Sequence, residues 1–401
     1  MHKDIKWILD AIEAAAQTGV SGREYWRATY TKQDAAVVKL LSGYMKEAGM
    51  ETYSDAVGNL FGRIQGCQPG LIMSGSHRDT VRDGGKYDGM LGVLTALKAA
   101  ASLYEEYGSP RKTVEIVATC EEESSRFSVG YLGSHHICGF FREDQLDALD
   151  PDEITLRDAM RNAGYTAGPL SEGRDDLEHF IELHIEQGGL LENRQKQVGL
   201  VTSIVGLYCA EITLAGHQNH AGTTPMYMRK DPMPAAAAFI TKLYDWAYQY
   251  MDDMVCTVGK FVVQPGNLNV IANDISFTID IRSSSDERIR QADAEIKRIT
   301  EELNGNIEVT MNLDSYDIPV PLDSAGVSSL EKLAGKRGLA YEIMPSGAGH
   351  DSQVIARKYP TNMIFVPSVE GISHNPAEYT RPEDIEAGYL LLRDYLKELA
   401  W

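Results

Sequence analysis

Short apolar segments that alternate with helical segments constrain the fold of this chain most strongly. A long helical pattern runs from about Gly89 to Tyr107, and an apolar segment lies on each side of it. Strands that alternate with helices in this way form mostly parallel sheets with helices on their faces. The pattern therefore predicts an α/β domain. Its predicted strands are LIMSGS (71–76), TVEIVATC (113–120), FIELHI (180–185), GLVTSIV (199–205) and MIFVPSV (363–369).

The middle of the chain has a different order of elements. From residue 208 to residue 318 the pattern indicates a strand, a helix, two strands, a helix and a strand. The order βαββαβ is typical of a split-βαβ sandwich. We therefore predict an α+β domain at 208–318, inserted into a larger α/β domain that comprises 1–207 and 319–401.

Charge and cysteine content argue against several classes of protein. The 401 residues include 38 Lys and Arg and 58 Asp and Glu, a net charge of −20. Such a chain repels phosphate backbones and anionic lipid, which disfavours nucleic-acid and membrane partners. The five cysteines show no CxxC spacing, which argues against a disulfide framework and a thiolate zinc site. No segment looks like a signal peptide or a membrane span, so we expect a cytoplasmic protein.

Polar residues follow two of the predicted strands in the first part of the chain. In LIMSGSHRDTV, His77 follows an apolar strand and Asp79 comes two residues later. A metal-ligating histidine usually needs an acceptor on its other ring nitrogen, which Asp79 could provide, although a turn residue is the alternative. In GGKYDGMLG, Asp88 precedes a helix, where a helix cap is the simpler interpretation. In ATCEEESSRF, three adjacent carboxylates indicate either a solvated loop or a group that a cation stabilises.

The clusters carry more weight together than singly. His77, Asp88, Glu123, His184 and His374 all fall at predicted strand ends or loops of the same α/β domain. Ligands of open α/β sheets collect at the carboxyl ends of the strands. A mixed His, Asp and Glu set without thiolate suits Zn²⁺, Mn²⁺ or Co²⁺. Five ligands exceed what one catalytic zinc needs, which favours two metal ions that share a carboxylate.

The remaining candidates carry weaker signals. Arg282 ends a predicted strand and is either a surface cation or a clamp for a carboxylate, which its bidentate fork suits. The SGAG segment at 346–349 lacks the Lys-Ser/Thr of a phosphate loop. We interpret the other histidines as follows: His135 and His136 as structural, His2 and His179 as surface residues, and His217, beside His220, as part of a polar turn.

The sequence resembles the di-metal amidohydrolases that include allantoate amidohydrolase, N-carbamoyl-L-amino-acid hydrolase and β-ureidopropionase, within the aminoacylase and carboxypeptidase superfamily. The resemblance covers nearly the whole chain, and its motifs occur in the family's order. Each motif is modest, whereas nine in order are highly specific. They are GSHRDTV, GGKYDGMLG, EEESSRF, ELHIEQG, NHAGTTPM, NLNVI, DIR, PSGAGHD and GISHNPAE.

The resemblance implies a role for each matching residue. His77, Asp88 and His184 would bind one metal ion, and Asp88, Glu123 and His374 the other, so that Asp88 bridges them. Glu122 would be the general base. Asp79 would hold His77. The residues that would contact the substrate are Gln187, His220, Asn269, Arg282 and His350, and His220 would come from the partner subunit.

The resemblance also implies the activity. We expect a homodimeric amidohydrolase, dimerised through an inserted domain that also closes over the substrate, with two divalent ions, Zn²⁺ or Mn²⁺, per subunit. It would hydrolyse the ureido C–N bond of a small carboxylate. Allantoate is the first candidate substrate, and N-carbamoyl-L-amino acids or N-carbamoyl-β-alanine are the alternative. A dipeptidase or aminoacylase, and a silent metal-binding homologue, are further alternatives. Arg78 and Ser124 depart from the family, which usually has a shorter or aliphatic residue and a glycine there.

Overall fold

The computed structural model describes residues 3–401, which form two compact units. The first unit comprises the residues up to Thr202 together with Pro321–Trp401, and the second is Ser203–Val320. The second unit thus begins five residues before the predicted 208 and ends two residues after the predicted 318.

Helices and strands alternate through the first unit and again through the second. In the described residues the helices are α1 (Lys3–Gly19), α2 (Lys32–Glu47), α3 (Met90–Tyr107), α4 (Leu132–Cys138), α5 (Leu156–Asn162), α6 (Leu190–Asn193), α7 (Pro232–Ala247), α8 (Asp286–Leu303), α9 (Ser324–Arg337), α10 (Asp351–Ile355) and α11 (Pro382–Ala400). The strands are β1 (Val20–Ser21), β2 (Glu24–Tyr25), β3 (Glu51–Ser54), β4 (Leu60–Ile64), β5 (Gln68–His77), β6 (Lys112–Thr119), β7 (Leu177–Ile185), β8 (Val198–Ile204), β9 (Gly206–Ala215), β10 (Asn219–His220), β11 (Met254–Gln264), β12 (Val270–Ile271), β13 (Asp274–Ser283), β14 (Glu308–Asp317), β15 (Val320–Pro321), β16 (Tyr341–Ser346) and β17 (Thr361–Val366).

The large sheet of the first unit is mixed. Its strand order is β15-β8-β17-β7-β5-β6-β4-β3, and β16 pairs with β8. The central strands β17, β7, β5 and β6 are parallel, whereas β8, β4 and β3 pair antiparallel with their neighbours. The α/β prediction is confirmed, but the expectation of a mostly parallel sheet holds only at its centre. The short connection from β3 to β4 can only make a hairpin, because a parallel pairing needs a long crossover.

Helices cover both faces of this sheet because side chains alternate along each strand. On β5, Ile72 belongs to the core cluster that contains α1, α3 and α11 side chains. Its neighbours Leu71 and Met73 belong to a second cluster with Ile137 of α4 and Val354 of α10. The parallel strands are therefore buried on both sides, and the strand ends and the following loops are where the sheet is open to a ligand.

The second unit is a four-stranded antiparallel sheet with two helices. Its strand order is β11-β13-β9-β14, and along the chain the main elements run β9, α7, β11, β13, α8 and β14. Every second residue of β9, from Tyr208 to Leu214, is buried. These side chains pack against residues of α7 and α8 such as Phe239 and Ile296. The other residues of β9 are only partly buried, as expected for a sheet with helices on one face.

Two details concern the expectations from composition. All five cysteines are free thiols. Within residues 3–401, none of the helices combines the length and apolarity that a bilayer crossing requires.

The assignment of His179 to the surface is wrong: the residue is 7% exposed and its Nε2 lies 2.9 Å from Asn362 Oδ1. The partner amide explains why this polar ring can be buried. His2 lies outside the described residues.

Candidate active site

The carboxyl ends of the central parallel strands gather the candidate ligands at one edge of the sheet. His77 is the last residue of β5 and pairs with Thr119, the last residue of β6. His184 lies on β7 beside Phe365 of β17. Because parallel strands end at the same edge, the loops after β5, β6 and β17 meet there. These loops carry Asp88, Glu121–Glu123 and His374.

Asp88 lies at the centre of this group. Its Oδ1 atom is 3.2 Å from His77 Nε2 and 3.1 Å from His184 Nε2. Its Oδ2 atom is 3.4 Å from His374 Nε2, which in turn lies 3.5 Å from Glu123 Oε2. Asp88 does not cap α3, whose N-cap residue is Gly89. The carboxylate thus presents one oxygen to each of two ligand groups.

The hydrogen bonds of the two buried histidines indicate what can lie between them and Asp88. His77 Nδ1 is 3.1 Å from the backbone oxygen of Asp79, and His184 Nδ1 is 2.9 Å from that of Ile185. A backbone oxygen only accepts, so each Nδ1 carries a hydrogen. In the neutral ring Nε2 is then an acceptor that faces Asp88, and in His184 it also accepts the Gly89 N–H at 3.2 Å. Two acceptors at this distance repel each other unless a cation or proton lies between them.

Uncompensated negative charge and unpartnered atoms support the same conclusion. Burial by itself lowers the pKa of His77, but the carboxylates of Glu122 and Asp88 outweigh it, so that the pKa lies well above its usual value. Asp88 Oδ1 and Glu123 Oε1 are buried atoms without a hydrogen-bond partner. Because buried polar atoms are normally satisfied, these residues fit a site for cations.

Among residues 3–401, four groups of side chains offer donor atoms within 4.8 Å of one another. Two of them, His77/Asp88/His184 and Asp88/Glu123/His374, share Asp88. The other two are His77/Glu122/Glu123 and Glu182/His184/His350. Hard carboxylate and imidazole donors without thiolate suit divalent ions, and sharing of one carboxylate suits a pair of them.

Glu122 and Glu123 are held in place by Asp79. The Asp79 carboxylate accepts the backbone N–H of Glu122 at 3.2 Å and of Glu123 at 3.1 Å. It lies 3.9 Å from His77 Nδ1. Burial raises the pKa of Glu122 well above its usual value, and burial together with Asp88 raises the pKa of Glu123 to about 7. A carboxyl with a raised pKa is suited to accepting and returning protons near neutral pH.

Gln187 joins the same cluster from the end of β7. Its Nε2 donates to Asp88 Oδ2 at 2.9 Å, and its buried Oε1 has no hydrogen-bond partner. The residue has a φ of +58°, and His374 has a φ of +52°. Non-glycine residues with such φ values are strained and cluster at functional sites.

His350 is the most buried of the expected substrate contacts. It is 1% exposed, its Nε2 lies 2.9 Å from Ser346 Oγ, and its ring centroid is 4.6 Å from that of His184. Burial and the neighbouring His184 lower its pKa well below the usual value, so it is neutral at pH 7. Within the first unit, the His350 ring packs edge-on against the ring of His184.

His220 and Asn269 lie side by side in the second unit. The strand β10, which ends at His220, pairs with β12, and the N–H of Ala221 donates to the Asn269 backbone oxygen at 2.9 Å. His220 Nδ1 accepts the N–H groups of Gly222 and Thr223 at 3.0 and 3.3 Å. In the neutral ring the hydrogen is therefore on Nε2, and the exposed side chain can donate it.

Arg282 lies on β13 of the four-stranded sheet, at the end away from the loop that carries His220. It pairs with Leu207 at the start of β9, whereas the His220 loop follows the end of β9 at Ala215. The eight residue-to-residue steps along the strand from Leu207 to Ala215 span roughly 27 Å. The guanidinium forms a fork with Asp280, with Nε 3.0 Å from Oδ1 and Nη2 3.1 Å from Oδ2.

Arg78, one of the two departures from the family, points away from the candidate ligands. Its fully buried guanidinium pairs with Asp34 of α2, with Nε 2.7 Å from Oδ1, and Nη1 donates to the Ala118 backbone oxygen at 3.0 Å. The buried carboxylate partner explains how a cation can stand at this position.

Two functional-site residues were not predicted. Glu378 accepts the backbone N–H groups of Tyr87 and Asp88, and Ser373 Oγ lies 3.2 Å from Asp88 Oδ2. Both belong to the motif GISHNPAE, in which only His374 was singled out. An acidic residue four positions after a candidate ligand was the available signal.

Comparison with known proteins agrees with this geometry. Residues 73–398 match the family described as "Peptidase family M20/M25/M40". Allantoate amidohydrolase of Bacillus subtilis is 40% identical over 401 residues, covering 98% of this chain and 97% of that protein. N-carbamoyl-L-amino-acid amidohydrolase of Paenarthrobacter aurescens is 37% identical over 396 residues, covering 97% and 96%. A hydantoinase/carbamoylase family amidase of Burkholderia multivorans superposes with a TM-score of 0.92 at 33% identity, covering 98% and 97%.

The chain therefore belongs to the M20/M25/M40 peptidase family and is a hydrolase that acts on linear amides. The resemblance to the di-metal amidohydrolases is confirmed. The family and the His, Asp and Glu groups together indicate divalent metal ions as cofactors.

Proposed function

We propose that the protein hydrolyses the ureido C–N bond of allantoate, giving ureidoglycine, ammonia and carbon dioxide. The observation that carries the proposal is the placement of Asp88, whose Oδ1 faces His77 and His184 while Oδ2 faces His374. A carboxylate shared in this way is suited to a pair of cations. The 40% identity to an allantoate amidohydrolase over nearly the full chain supports the choice of substrate.

Two Zn²⁺ or Mn²⁺ ions would be held by these residues. His77, Asp88 and His184 would hold one ion, and Asp88, Glu123 and His374 the other. When bound, such ions polarise a carbonyl oxygen and lower the pKa of water, so that a nucleophile is available near pH 7.

Glu122 would move the protons of the reaction. Its buried carboxylate belongs to the group with His77 and Glu123, and burial raises its pKa. It would accept a proton from the attacking water and later give a proton to the leaving nitrogen. Asp79 holds the backbone of Glu122 and therefore sets the direction of the carboxylate.

The second unit would contribute the groups that bind the rest of the substrate. The Nε2–H of His220 would donate to the carbonyl oxygen as negative charge develops on it. Arg282 would exchange its fork with Asp280 for one with the substrate carboxylate. Asn269, Gln187 and His350 complete the proposed set of substrate-contacting residues.

A homodimer would reconcile the positions of His220 and Arg282. Arg282 and the loop that carries His220 lie at opposite ends of the paired strands β9 and β13, and a small substrate cannot span the roughly 27 Å between these ends in the same copy. In a symmetric dimer each site can take Arg282 from its own subunit and His220 from its partner. We therefore propose that the second unit dimerises and closes over the substrate. The five free thiols suit the reducing cytoplasm, which is the proposed location.

N-carbamoyl-L-amino acids are the second candidate substrates. They carry the same ureido group and carboxylate, and a relative named for them is 37% identical over nearly the whole chain. The test compares allantoate with a panel of other substrates, with Mn²⁺ and Zn²⁺ supplied separately. Ammonia release measures turnover of allantoate, N-carbamoyl-L-amino acids and N-carbamoyl-β-alanine, and release of the free amino acid measures turnover of dipeptides and N-acyl amino acids. We expect allantoate to have the highest kcat/KM, and faster turnover of a peptide or acyl substrate would contradict the proposal.

A further inference from the structure

Glu378 is a buried carboxylate to which the proposed reaction assigns no role. It lies four residues after His374 and is 4% exposed. Its Oε1 accepts the backbone N–H groups of Tyr87 at 3.0 Å and Asp88 at 3.1 Å. A carboxylate that accepts two amide hydrogens fixes the direction of the peptide that donates them. Glu378 therefore orients the segment of backbone from which the Asp88 side chain projects.

Ser373 extends this contact to the Asp88 side chain. Its Oγ lies 3.1 Å from Glu378 Oε2 and 3.2 Å from Asp88 Oδ2. The single Ser373 hydroxyl hydrogen is shared between the two carboxylates, so the connected atoms form a ring that includes the Asp88 backbone, the Asp88 carboxylate, Ser373 and Glu378. Oδ2 is the oxygen that faces His374, whereas Oδ1 faces His77 and His184. The ring thus involves one side of Asp88.

The ring joins two loops that are far apart in the chain. One loop connects β5 to α3 and carries Asp88, and the other follows β17 and carries His374. In the sheet, β17 is separated from β5 by β7. Gly85 allows the close approach, because a Cβ atom there would overlap the Glu378 carboxylate. Without a link between the loops, the distance from His374 to Asp88 would depend on two independent segments.

We propose that Glu378 is a positioning residue for one of the two cation subsites, the one formed by Asp88 Oδ2, Glu123 and His374. This inference rests on the proposed two-cation centre. The hydrogen bonds of Glu378 reach the Asp88 backbone and, through Ser373, the Oδ2 side of Asp88. His77 and His184 are fixed instead by β5 and β7 and by their own backbone hydrogen bonds. Loss of the carboxylate should weaken one subsite and leave the other unchanged.

The test is calorimetric titration of the chelator-treated full-length protein with Mn²⁺. Wild type should bind two ions per subunit. Glu378→Ala should weaken one binding step by about 10- to 100-fold, the usual effect of removing a residue that orients a ligand, and leave the other step unchanged. Glu378→Gln keeps an amide oxygen that can accept both N–H groups, so it should bind both ions nearly as wild type does.

Two further variants identify the affected subsite. In a His374→Ala background the proposed second subsite is already lost, so adding Glu378→Ala should not change the remaining step. In a His184→Ala background the same addition should weaken the remaining step. Weakening in the His374→Ala background would overturn the assignment to one subsite.

Asp150→Ala is the matched control. Asp150 is also buried and accepts two backbone N–H groups, from Asp152 at 3.0 Å and Ile154 at 2.9 Å. It contacts neither of the two loops that Glu378 joins, and its other oxygen pairs with Arg126, which follows Glu123 by three residues. Asp150→Ala should leave both binding steps unchanged. An effect equal to that of Glu378→Ala would mean that loss of a buried carboxylate weakens metal binding by loosening the protein in general, which would overturn the proposal. Wild type that binds fewer than two ions would overturn the proposed centre, and the inference with it. Wild type that binds two ions while Glu378→Ala matches it would overturn the inference alone.

Discussion

The side-chain carboxylate of Asp79 holds the backbone of Glu122. Its Oδ1 accepts the Glu122 N–H at 3.2 Å, and its Oδ2 accepts the N–H of Glu123 at 3.1 Å. The resemblance implies that Asp79 pairs with His77, but His77 Nδ1 lies closer to the Asp79 backbone oxygen, at 3.1 Å, than to the carboxylate, at 3.9 Å. Asp79 therefore connects the turn after β5 to the turn that carries the proposed base.

Asp79→Asn should lower kcat by about 10- to 100-fold, in the range found for residues that orient a metal ligand. The asparagine side chain has one acceptor oxygen, so either Glu122 or Glu123 loses its backbone hydrogen bond. Because Asp79 does not contact the proposed substrate groups, KM should change little. Steady-state kinetics on allantoate provide the measurement, and an unchanged kcat would show that the turn keeps its shape without Asp79.

Glu122→Gln should keep the metal and lose turnover by about 10² or more, because glutamine preserves the shape of the side chain and cannot accept a proton. Metal content from atomic emission and ammonia release from allantoate are measured on the same preparation. Near-normal turnover would mean that another group moves the proton.

Asp88→Ala should lose more metal than either His184→Ala or His374→Ala. The reason is that each oxygen of Asp88 faces a different ligand group, whereas each histidine belongs to one proposed subsite. Metal content after dialysis provides the measurement, with the two histidine variants as controls. An Asp88→Ala protein with wild-type metal content would leave Asp88 without a ligand role.

His220→Ala should keep both metal ions and the dimer and lose about 10² to 10³ in rate, the usual effect of removing one oxyanion donor. Mixing gives a sharper measurement. Co-refolded dimers of His220→Ala and Glu122→Gln would contain one site with both wild-type residues. About half of a statistical mixture is mixed, so activity should recover to about a quarter of wild type. No recovery in verified mixed dimers would place His220 in its own subunit's site or outside catalysis.

His179 should make the protein less stable in acid. Burial lowers the pKa of His179, so the folded state favours the neutral ring more than the unfolded chain does. The stabilising contribution of His179 is therefore fully present above its pKa in the unfolded chain, about 6.5. It is lost as the pH falls through the lower pKa of the folded state. The difference in free energy of unfolding between wild type and His179→Gln should therefore shrink below about pH 6.5. Urea unfolding of both proteins across this range, without added metal, measures it, and a constant difference would contradict the prediction.

Local patterns in the sequence predict the type of most elements. Apolar periodicity and the turn signals between segments predict the helix of α3 and the strand segments of β5, β6, β7 and β17, because burial on a sheet face or helix stripe leaves a regular trace in the chain. The βαββαβ order of the second unit is readable for the same reason. The antiparallel pairing of β8 with β17 and of β4 with β6 is not readable, because pairing direction depends on partners distant in sequence.

The candidate site divides in the same way. The residue types, and the strand ends and loops at which His77, Asp88, His184 and His374 stand, could be predicted from the sequence, since the chemistry of a ligand belongs to its side chain. The folded chain was needed to show that Asp88 turns one oxygen to each ligand group, that Asp79 holds Glu122, and that Glu378 joins two loops. These relationships are distances and directions between segments up to about 290 residues apart, and they arise from the packing of parallel strands that carries no local signal in the chain.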